Sequence, residues 1–294
     1  MSAPLVYAII LAWNQKRDTV ECLESVLKMD YPNFRVTVVD NGSTDGTPDL
    51  LRAAYPDVEL IISSENVGIA RGYNLGIEHA LEQAADYVLI MNNDIAVDRQ
   101  MLGELVEIGE SRPDVGMLMP KIYHYGSRTR LWCAGARWRT FPPGVKLVGF
   151  NKEDGPLYER LREIGYAPSC CLLLKRDTLE KVGLFDPGYF FYNDDWDLSA
   201  RIRKSGYKIL FVPQAKLWHK ISVSTQKSDK PAQWWHIMGQ STVRFYLKHS
   251  GALVLAVNVV WFIIRETVKG KFGRVRPYFA GIRQGLSAHW GRVR

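Results

Sequence analysis

The sequence predicts an α/β fold with a mainly parallel central sheet, and two observations predict it. In the first third of the chain, short apolar runs alternate with stretches whose apolar residues recur at helical spacing. Each apolar run also gives way to a polar cluster, and open parallel sheets hold their ligands beyond the carboxyl ends of their strands. Strands separated by helices of this length call for helices on both faces of the sheet.

The elements follow in order. Residues 6–11 form a buried strand, and 19–29 a helix with Val20, Leu23, Val26 and Leu27 at helical spacing. Residues 35–39 are a second strand. Thr47 caps a helix running to Tyr55, with Pro48 at its first position. Residues 58–63 are a third strand, 69–84 a helix and 87–91 a fourth strand. The second half is less regular. It offers helices at 100–110, 177–182 and 198–204, the last closed by Gly206, and strands at 116–121, 167–174 and 207–212. Between them, 122–166 is rich in Gly, Pro, Arg and aromatic residues and reads as surface loops. Residues 234–249 are helical and aromatic, followed by an apolar run and a basic tail.

With 294 residues, 47% hydrophobic and 23% charged, the chain is globular with a sizeable core. Its net charge of +7 is a property of the tail: residues 265–294 hold eight Lys and Arg against Glu266 alone. The rest is neutral, so the body carries no excess charge to attract nucleic acid. The four cysteines form no CxxC pair, which argues against a zinc site or disulfide framework and for a reducing, cytoplasmic compartment. The apolar stretch 5–13 has no basic segment before it and no cleavage site after it, so it reads as a strand rather than a signal peptide. The run 252–264 has one polar member, Asn258. As a helix it is about 20 Å long, short of a hydrocarbon core of about 30 Å. It either packs on the body or on a second subunit of a homo-oligomer, or lies on an anionic membrane surface beside the basic tail with its Phe272, Tyr278, Phe279 and Trp290.

Five clusters and one histidine carry chemistry, each with a plain structural reading beside it. Trp13, flanked by Ala12 and Asn14 at the first strand's end, is a core aromatic or a surface on which a base stacks. Asp40-Asn41-Gly42-Ser43 is a turn, or an acid accepting from a pyrimidine N–H. The segment from Asn66 to Gly76 has glycines that let backbone approach a ligand, such as Gly68, with Arg71 and Asn74 on the helix start. Asn92-Asn93-Asp94 is a turn, or a half-built site for a hard divalent cation that takes oxygen ligands. Asp194 and Asp195 open a helix whose dipole keeps a carboxylate ionised, while Asp197 has a structural partner in Arg201 at i,i+4. Last, His219 follows a strand and a loop and is structural or a metal ligand.

Taken in order, these clusters resemble the family 2 inverting glycosyltransferases of the GT-A, Rossmann-like fold over roughly residues 4–225. Within that family the sequence looks most like bacterial rhamnosyltransferases of cell-surface polysaccharide assembly, where Asn-Asn-Asp is common. The resemblance implies a nucleotide-sugar site made by Ala12, Trp13, Asn14, Asp40, Asn41, Asn66, Gly68, Arg71, Asn74, Asn92 and Asn93. It implies that Asp94 and His219 bind Mg²⁺ or Mn²⁺, and that Asp195 is the catalytic base. Asn92 stands where the family has the first acid of Asp-x-Asp, which leaves its metal contact open. Asp194 replaces the usual Glu, so Asp194 and Asp195 can exchange roles. Residues 1–97 would then be the donor half, 98–230 the acceptor half and 231–294 a helical extension.

The implied reaction moves a sugar from a nucleotide-diphosphate donor, with dTDP-L-rhamnose the first guess, to a glycan or lipid-linked glycan at the inner face of the membrane. Two alternatives stand beside it. A sugar-nucleotide nucleotidyltransferase would want a basic glycine-rich loop where this chain has Ala12-Trp13-Asn14-Gln15. A non-catalytic glycan- or polyanion-binding module leaves Asp194 and Asp195 unexplained.

Overall fold

A computed structural model describes residues 2–220 and 231–290. Two of the eight tail cations counted above, Arg292 and Arg294, lie outside the described residues.

Strand β1 (Val6–Ala12) is buried along its whole length, which is why it reads as an unbroken apolar run. It pairs in parallel with β2 (Phe34–Asp40) on one side and β4 (Tyr87–Asn92) on the other, and β2 pairs in parallel with β3 (Glu59–Ile62). The register sets Ala12 opposite Asp40 and Leu11 opposite Asn92, so the polar clusters emerge at one edge. Helices α1 (Lys16–Val26), α2 (Thr47–Ala54) and α3 (Ile69–Glu82) connect these strands.

Beyond β4 the sheet is mixed. Strand β5 (Ile95–Val97) and helix α4 (Met101–Ser111) lead to β6 (Val115–His124). Next come β7 (Leu131–Cys133), β8 (Ala136–Arg139), β9 (Gly144–Leu147) and β10 (Arg162–Ile164). Strand β11 (Cys171–Lys175) runs antiparallel between β4 and β6. After α5 (Arg176–Val182) and α6 (Asp194–Lys204), β12 (Lys208–His219) runs parallel to β6. The main sheet has the order β10-β12-β6-β11-β4-β1-β2-β3, with β5 on β12 and β7 on β6.

Several expectations need correction. Residues 122–166 are not surface loops: β8 and β9 form a hairpin, β7 and β10 join the sheet, and Leu131, Cys133, Ala134 and Ala136 are buried. Alternating small and aromatic residues hid short strands behind loop-like composition. His219 does not follow a loop but ends β12, which is far longer than the segment 207–212. Thr47 is not the cap of α2; that position is Gly46, in the left-handed region, and Asp45 Oδ1 accepts from the Thr47 N–H at 3.1 Å.

The C-terminal extension is three helices, α7 (Ala232–His249), α8 (Ala252–Val268) and α9 (Val275–Trp290). Gly239 and Gly281 let α7 and α9 touch backbone to backbone: a Cβ on Gly281 would fall 2.0 Å from the His236 carbonyl oxygen. Phe262 of α8 stacks on Tyr278 of α9 with ring centroids 3.8 Å apart. The opposite side of α8 carries Leu253, Val260, Ile264 and Val268, all exposed. Among the described residues no helix is long and apolar enough to cross a membrane.

Candidate active site

A cleft of about 900 Å³ opens beyond the strand ends. On the sheet side it is lined by Trp13, Asn41, Asn66, Gly68, Asn92, Asn93 and Asp94. Asp194, Asp195 and His219 line it too, so six separate stretches of sequence converge there. Gly68 is needed where it stands: its φ is +87°, and a Cβ would fall 2.6 Å from the carbonyl oxygen of Phe190. That same carbonyl accepts the Ile69 N–H at 2.8 Å, tying the start of α3 to the loop that carries the two acids.

Five of the residues assigned to the nucleotide sugar do not line the cleft. Ala12 is a buried strand end whose carbonyl accepts the Asn41 N–H at 2.8 Å. Asn14 binds Ser43 and Thr44, holding the turn after β2 against the turn after β1. Arg71 donates to the Pro187 carbonyl at 3.3 Å, and Asn74 clamps both backbone groups of Phe185. Asp40 is fully buried behind the cleft wall; its Oδ2 accepts the Ser43 N–H at 2.9 Å, while Oδ1 has no partner among the described residues.

The antiparallel pairing of β5 with β12 builds the next feature. It sets His219 opposite Ile95, and so brings the imidazole to Asp94, with Nε2 3.2 Å from Oδ1. Both side chains are buried, and Trp132 packs edge-on against the imidazole at 4.9 Å between ring centroids. The neighbouring amides are engaged otherwise. Asn92 Oδ1 accepts the Tyr73 hydroxyl at 2.7 Å, and Asn93 donates to Thr19 Oγ1 at 2.9 Å. Among the described residues no three His, Cys, Asp or Glu side chains are grouped to hold a metal. The pair nevertheless fits a divalent cation: one carboxylate and one imidazole are present, and His219 Nδ1 is buried with no partner among the described residues. The remaining ligands would be water and diphosphate oxygens, as such cations accept.

The two acids at the start of α6 differ in surroundings. Asp195 is half-buried; its Oδ2 accepts the Tyr166 hydroxyl at 2.6 Å and the Ser169 N–H at 3.3 Å, and its Oδ1 the Trp196 N–H at 2.9 Å. Asp194 is buried and its carboxylate accepts from Ser169 Oγ at 3.4 Å. Burial raises both carboxyls above their ordinary range. For Asp194 the charge of Asp195 adds to burial and pushes it well up, whereas hydrogen bonds to Tyr166 and to backbone N–H groups hold Asp195 back. Desolvation thus opposes the helix dipole at both carboxyls, most strongly at Asp194. Tyr166 itself is pushed well above the ordinary phenol range by burial and by Asp195, so it stays a donor. Asp197 takes no part in the cleft: it is buried against Arg201 at 2.7 Å and His249 at 2.7 Å.

Sequence reading missed the rest of the lining. Tyr166, Ser169 and Trp196 surround the acids, and Trp132 and Arg139 come from the stretch read as loops. The C-terminal helices supply Trp234, Met238, Tyr246, Asn258, Trp261 and Arg265. The density of aromatics in 132–138 and 234–246 was the signal available, but it did not say which face they present.

The model of the glycosyl transferase family 2 matches residues 7–183. The chain is similar to N-acetylglucosaminyl-diphospho-decaprenol L-rhamnosyltransferase of Mycobacterium tuberculosis, at 29% identity over 245 residues, 74% of this chain and 76% of that one. It is also similar to glycosyltransferase AglE of Haloferax volcanii, at 26% identity over 71% of this chain and 64% of that one. Among solved structures, GalNAc-T7 with UDP, GalNAc and Mn²⁺ matches with a TM-score of 0.63 at 13% identity, over 83% of this chain and 50% of that chain. The mannosyltransferase PcManGT from Pyrobaculum calidifontis, in complex with GDP-Man and Mn²⁺, matches with a TM-score of 0.57 at 18% identity, over 98% and 76%. These structural likenesses show the GT-A fold. Since the family model spans more than half of its residues, the chain belongs to glycosyl transferase family 2 and is a glycosyltransferase.

Proposed function

We propose that this glycosyltransferase moves a sugar, L-rhamnose from dTDP-L-rhamnose, to a hydroxyl of a lipid-linked glycan, with inversion and with a divalent metal. One observation carries the reading: a single cleft holds the Asp94–His219 pair and the Asp194–Asp195 pair. The rhamnose donor and the lipid-linked acceptor are supported by the similarity to the mycobacterial rhamnosyltransferase. The metal is supported by the Mn²⁺ named with both structural neighbours.

Residues 1–97 hold the nucleotide across the strand ends, with Trp13, 43% exposed, offering a face for the base. Asp94 and His219 hold Mg²⁺ or Mn²⁺, which when bound offsets the charge building on the leaving diphosphate. Residues 98–230 hold the acceptor. Asp195 takes the proton of the acceptor hydroxyl; that oxygen bonds to the anomeric carbon as the bond to the diphosphate breaks on the opposite face. Burial and the charge of Asp195 both oppose ionisation of Asp194, which favours Asp195 as the base. Tyr166 and the Ser169 N–H fix the carboxylate's direction.

The reading also sets the chain on the cytoplasmic face of a membrane, attached through 251–294. Its support is the exposed row on α8 together with exposed Lys269, Lys271, Arg276 and Phe272. The test is release of thymidine diphosphate from dTDP-L-rhamnose on addition of a lipid-linked glycan. Release that needs Mg²⁺ or Mn²⁺ and the acceptor supports the reading; release of pyrophosphate, or none with any nucleotide sugar, overturns it.

A further inference from the structure

The C-terminal wall of the cleft contains a polar island that the transfer reaction does not use. Asn258 of α8 donates to the Tyr246 hydroxyl at 3.0 Å and to the Pro143 carbonyl at 3.1 Å. The Tyr278 hydroxyl faces Asn258 Oδ1 at 3.5 Å, so the amide bridges two phenols from α7 and α9. A guanidinium stands at each end. Arg139 ends β8 opposite Gly144 in the hairpin, and Arg265 lies one turn beyond Trp261 on α8, 5.3 Å over the Phe262 ring. Burial raises both phenols, and Arg139 opposes it at Tyr246 as Arg265 does at Tyr278, which puts each guanidinium within electrostatic reach of its phenol. All five residues line the same cleft.

The charge is not used up locally. Among the described residues no carboxylate pairs with Arg139. Arg265 pairs with Glu266, a buried acid that Arg274 also reaches, and its own side chain stays 42% exposed at the cleft. Two guanidiniums and two phenolic O–H donors around one amide suit a polyvalent oxyanion, which guanidinium binds in bidentate fashion. The surroundings are apolar. Phe141, 70% exposed, meets Trp261 edge-on at 5.8 Å, and the exposed row of α8 begins on the same helix. Among the described residues the strand-end side of the cleft lining holds no arginine or lysine, since Arg71 is turned to Pro187.

We propose that Arg139 and Arg265, with the hydroxyls of Tyr246 and Tyr278, bind the diphosphate of the acceptor, and that its hydrocarbon leaves the cleft over Phe141 and Trp261 toward the exposed face of α8. The acceptor is then a sugar diphosphate lipid rather than a free glycan. This rests on the lipid-linked acceptor proposed above, and it names the residues that select that acceptor.

Calorimetry on the full chain tests it with farnesyl diphosphate as the probe, alongside farnesol, inorganic pyrophosphate and thymidine diphosphate with Mg²⁺. The expected result is that farnesyl diphosphate binds at least about tenfold more tightly than farnesol or pyrophosphate. Arg139→Gln with Arg265→Gln should remove that advantage, and Arg139→Lys with Arg265→Lys should restore part of it. Thymidine diphosphate affinity and the melting temperature should stay unchanged in both. Equal binding of pyrophosphate would overturn the amphiphile, and unchanged probe binding in the Gln pair would overturn the site. A parallel loss of thymidine diphosphate affinity would reassign the two arginines to the donor and overturn it as well. If the probe binds through these arginines while transfer does not favour lipid-linked over free glycans, the anion site stands and the acceptor reading falls.

Discussion

The two walls of the cleft are built by different means. On the sheet side, the residues stand where parallel strands end, and their positions follow from hydrogen-bond register, as with Leu11 opposite Asn92. On the other side, the lining is carried by side chains from a hairpin and three helices, held by aromatic packing such as Trp138 on Phe245 at 5.6 Å and Phe262 on Tyr278 at 3.8 Å. Register fixes where a residue sits from its neighbours in sequence, whereas packing fixes it from partners far along the chain. A wall of the first kind, where the donor is proposed to bind, suits a ligand that a whole family shares. A wall of the second kind, proposed for the acceptor, can change without disturbing the sheet.

The sharpest test of that division separates chemistry from donor binding. Asp195→Asn should lower transfer by about 10²–10⁴-fold, the usual worth of a general base, while donor affinity stays within twofold. Rates in single turnover and calorimetry with donor and Mn²⁺ read the two effects. An active Asp195→Asn beside a dead Asp194→Asn reverses the pair; two active variants remove the base from this side of the cleft.

On the donor wall, Asp94→Ala should weaken metal-dependent donor binding on the order of 10–100-fold, judged against the cost of losing groups that merely orient metal ligands. Asn92→Ala should cost less. Its amide oxygen is already engaged by Tyr73, and a neutral amide is a weaker ligand for a hard cation. Calorimetry with and without Mn²⁺ decides it. Unchanged affinity in Asp94→Ala would make Asn92-Asn93-Asp94 a turn between β4 and β5 and nothing more.

This difference between walls also explains what the sequence disclosed. The strands β1 to β4 and the clusters at their ends were legible because burial on both faces writes an apolar run, and the chain must then turn at a polar group. Asp94 and His219 were joined on one metal by the family resemblance, but the residues alone did not show how they meet, which depends on the antiparallel pairing of a three-residue strand with the end of β12. Arg71 and Asn74 looked like ligands because charged and amide groups follow glycines; the structure spends them on the Pro187 and Phe185 backbones. Tyr166, Tyr246 and Asn258 could not be found, since each lies far in sequence from what it touches. The apolar run 252–264 left open whether it packs on the body or faces outward, and α8 does both: Leu255 and Phe262 are buried, while Leu253 and Val260 are 79% and 54% exposed.

A smaller effect is expected where the outer wall meets its surroundings. The full chain should co-sediment with vesicles containing anionic lipid at low salt. Val260→Ser with Ile264→Ser should reduce bound protein several-fold, because each exposed aliphatic side chain contributes on the order of 1 kcal/mol when it leaves water. Salt should release the rest, since the exposed Lys269, Lys271 and Arg276 act through screened charge. Equal sedimentation of the double variant, or none for the parent, would turn the α8 face over to a second copy of the chain, which light scattering would then detect.

The smallest effect concerns Tyr166 and is one of direction. Its hydroxyl donates to Asp195 and stabilises the ionised carboxylate, against burial that raises the carboxyl. In the proposed role of base Asp195 works only when ionised, so activity should rise with pH through its value in the folded enzyme. Tyr166→Phe removes a lowering influence and leaves burial in place. The acid limb of the kcat/KM profile should therefore move to higher pH, while the rate on the plateau above it changes little. Donor affinity should not move, because Tyr166 stands on the acid side of the cleft and not at the strand ends. The folded state should respond with the same sign. A carboxyl whose value is raised on folding adds stability below its unfolded value, and that stability is lost as pH rises through the folded value. Raising Asp195 further extends this loss, so Tyr166→Phe should lower the melting temperature more in alkaline than in acidic buffer. A limb that moves down, or a melting loss equal at both ends of the pH range, would detach Tyr166 from the base and leave it as packing between Trp138 and Trp196.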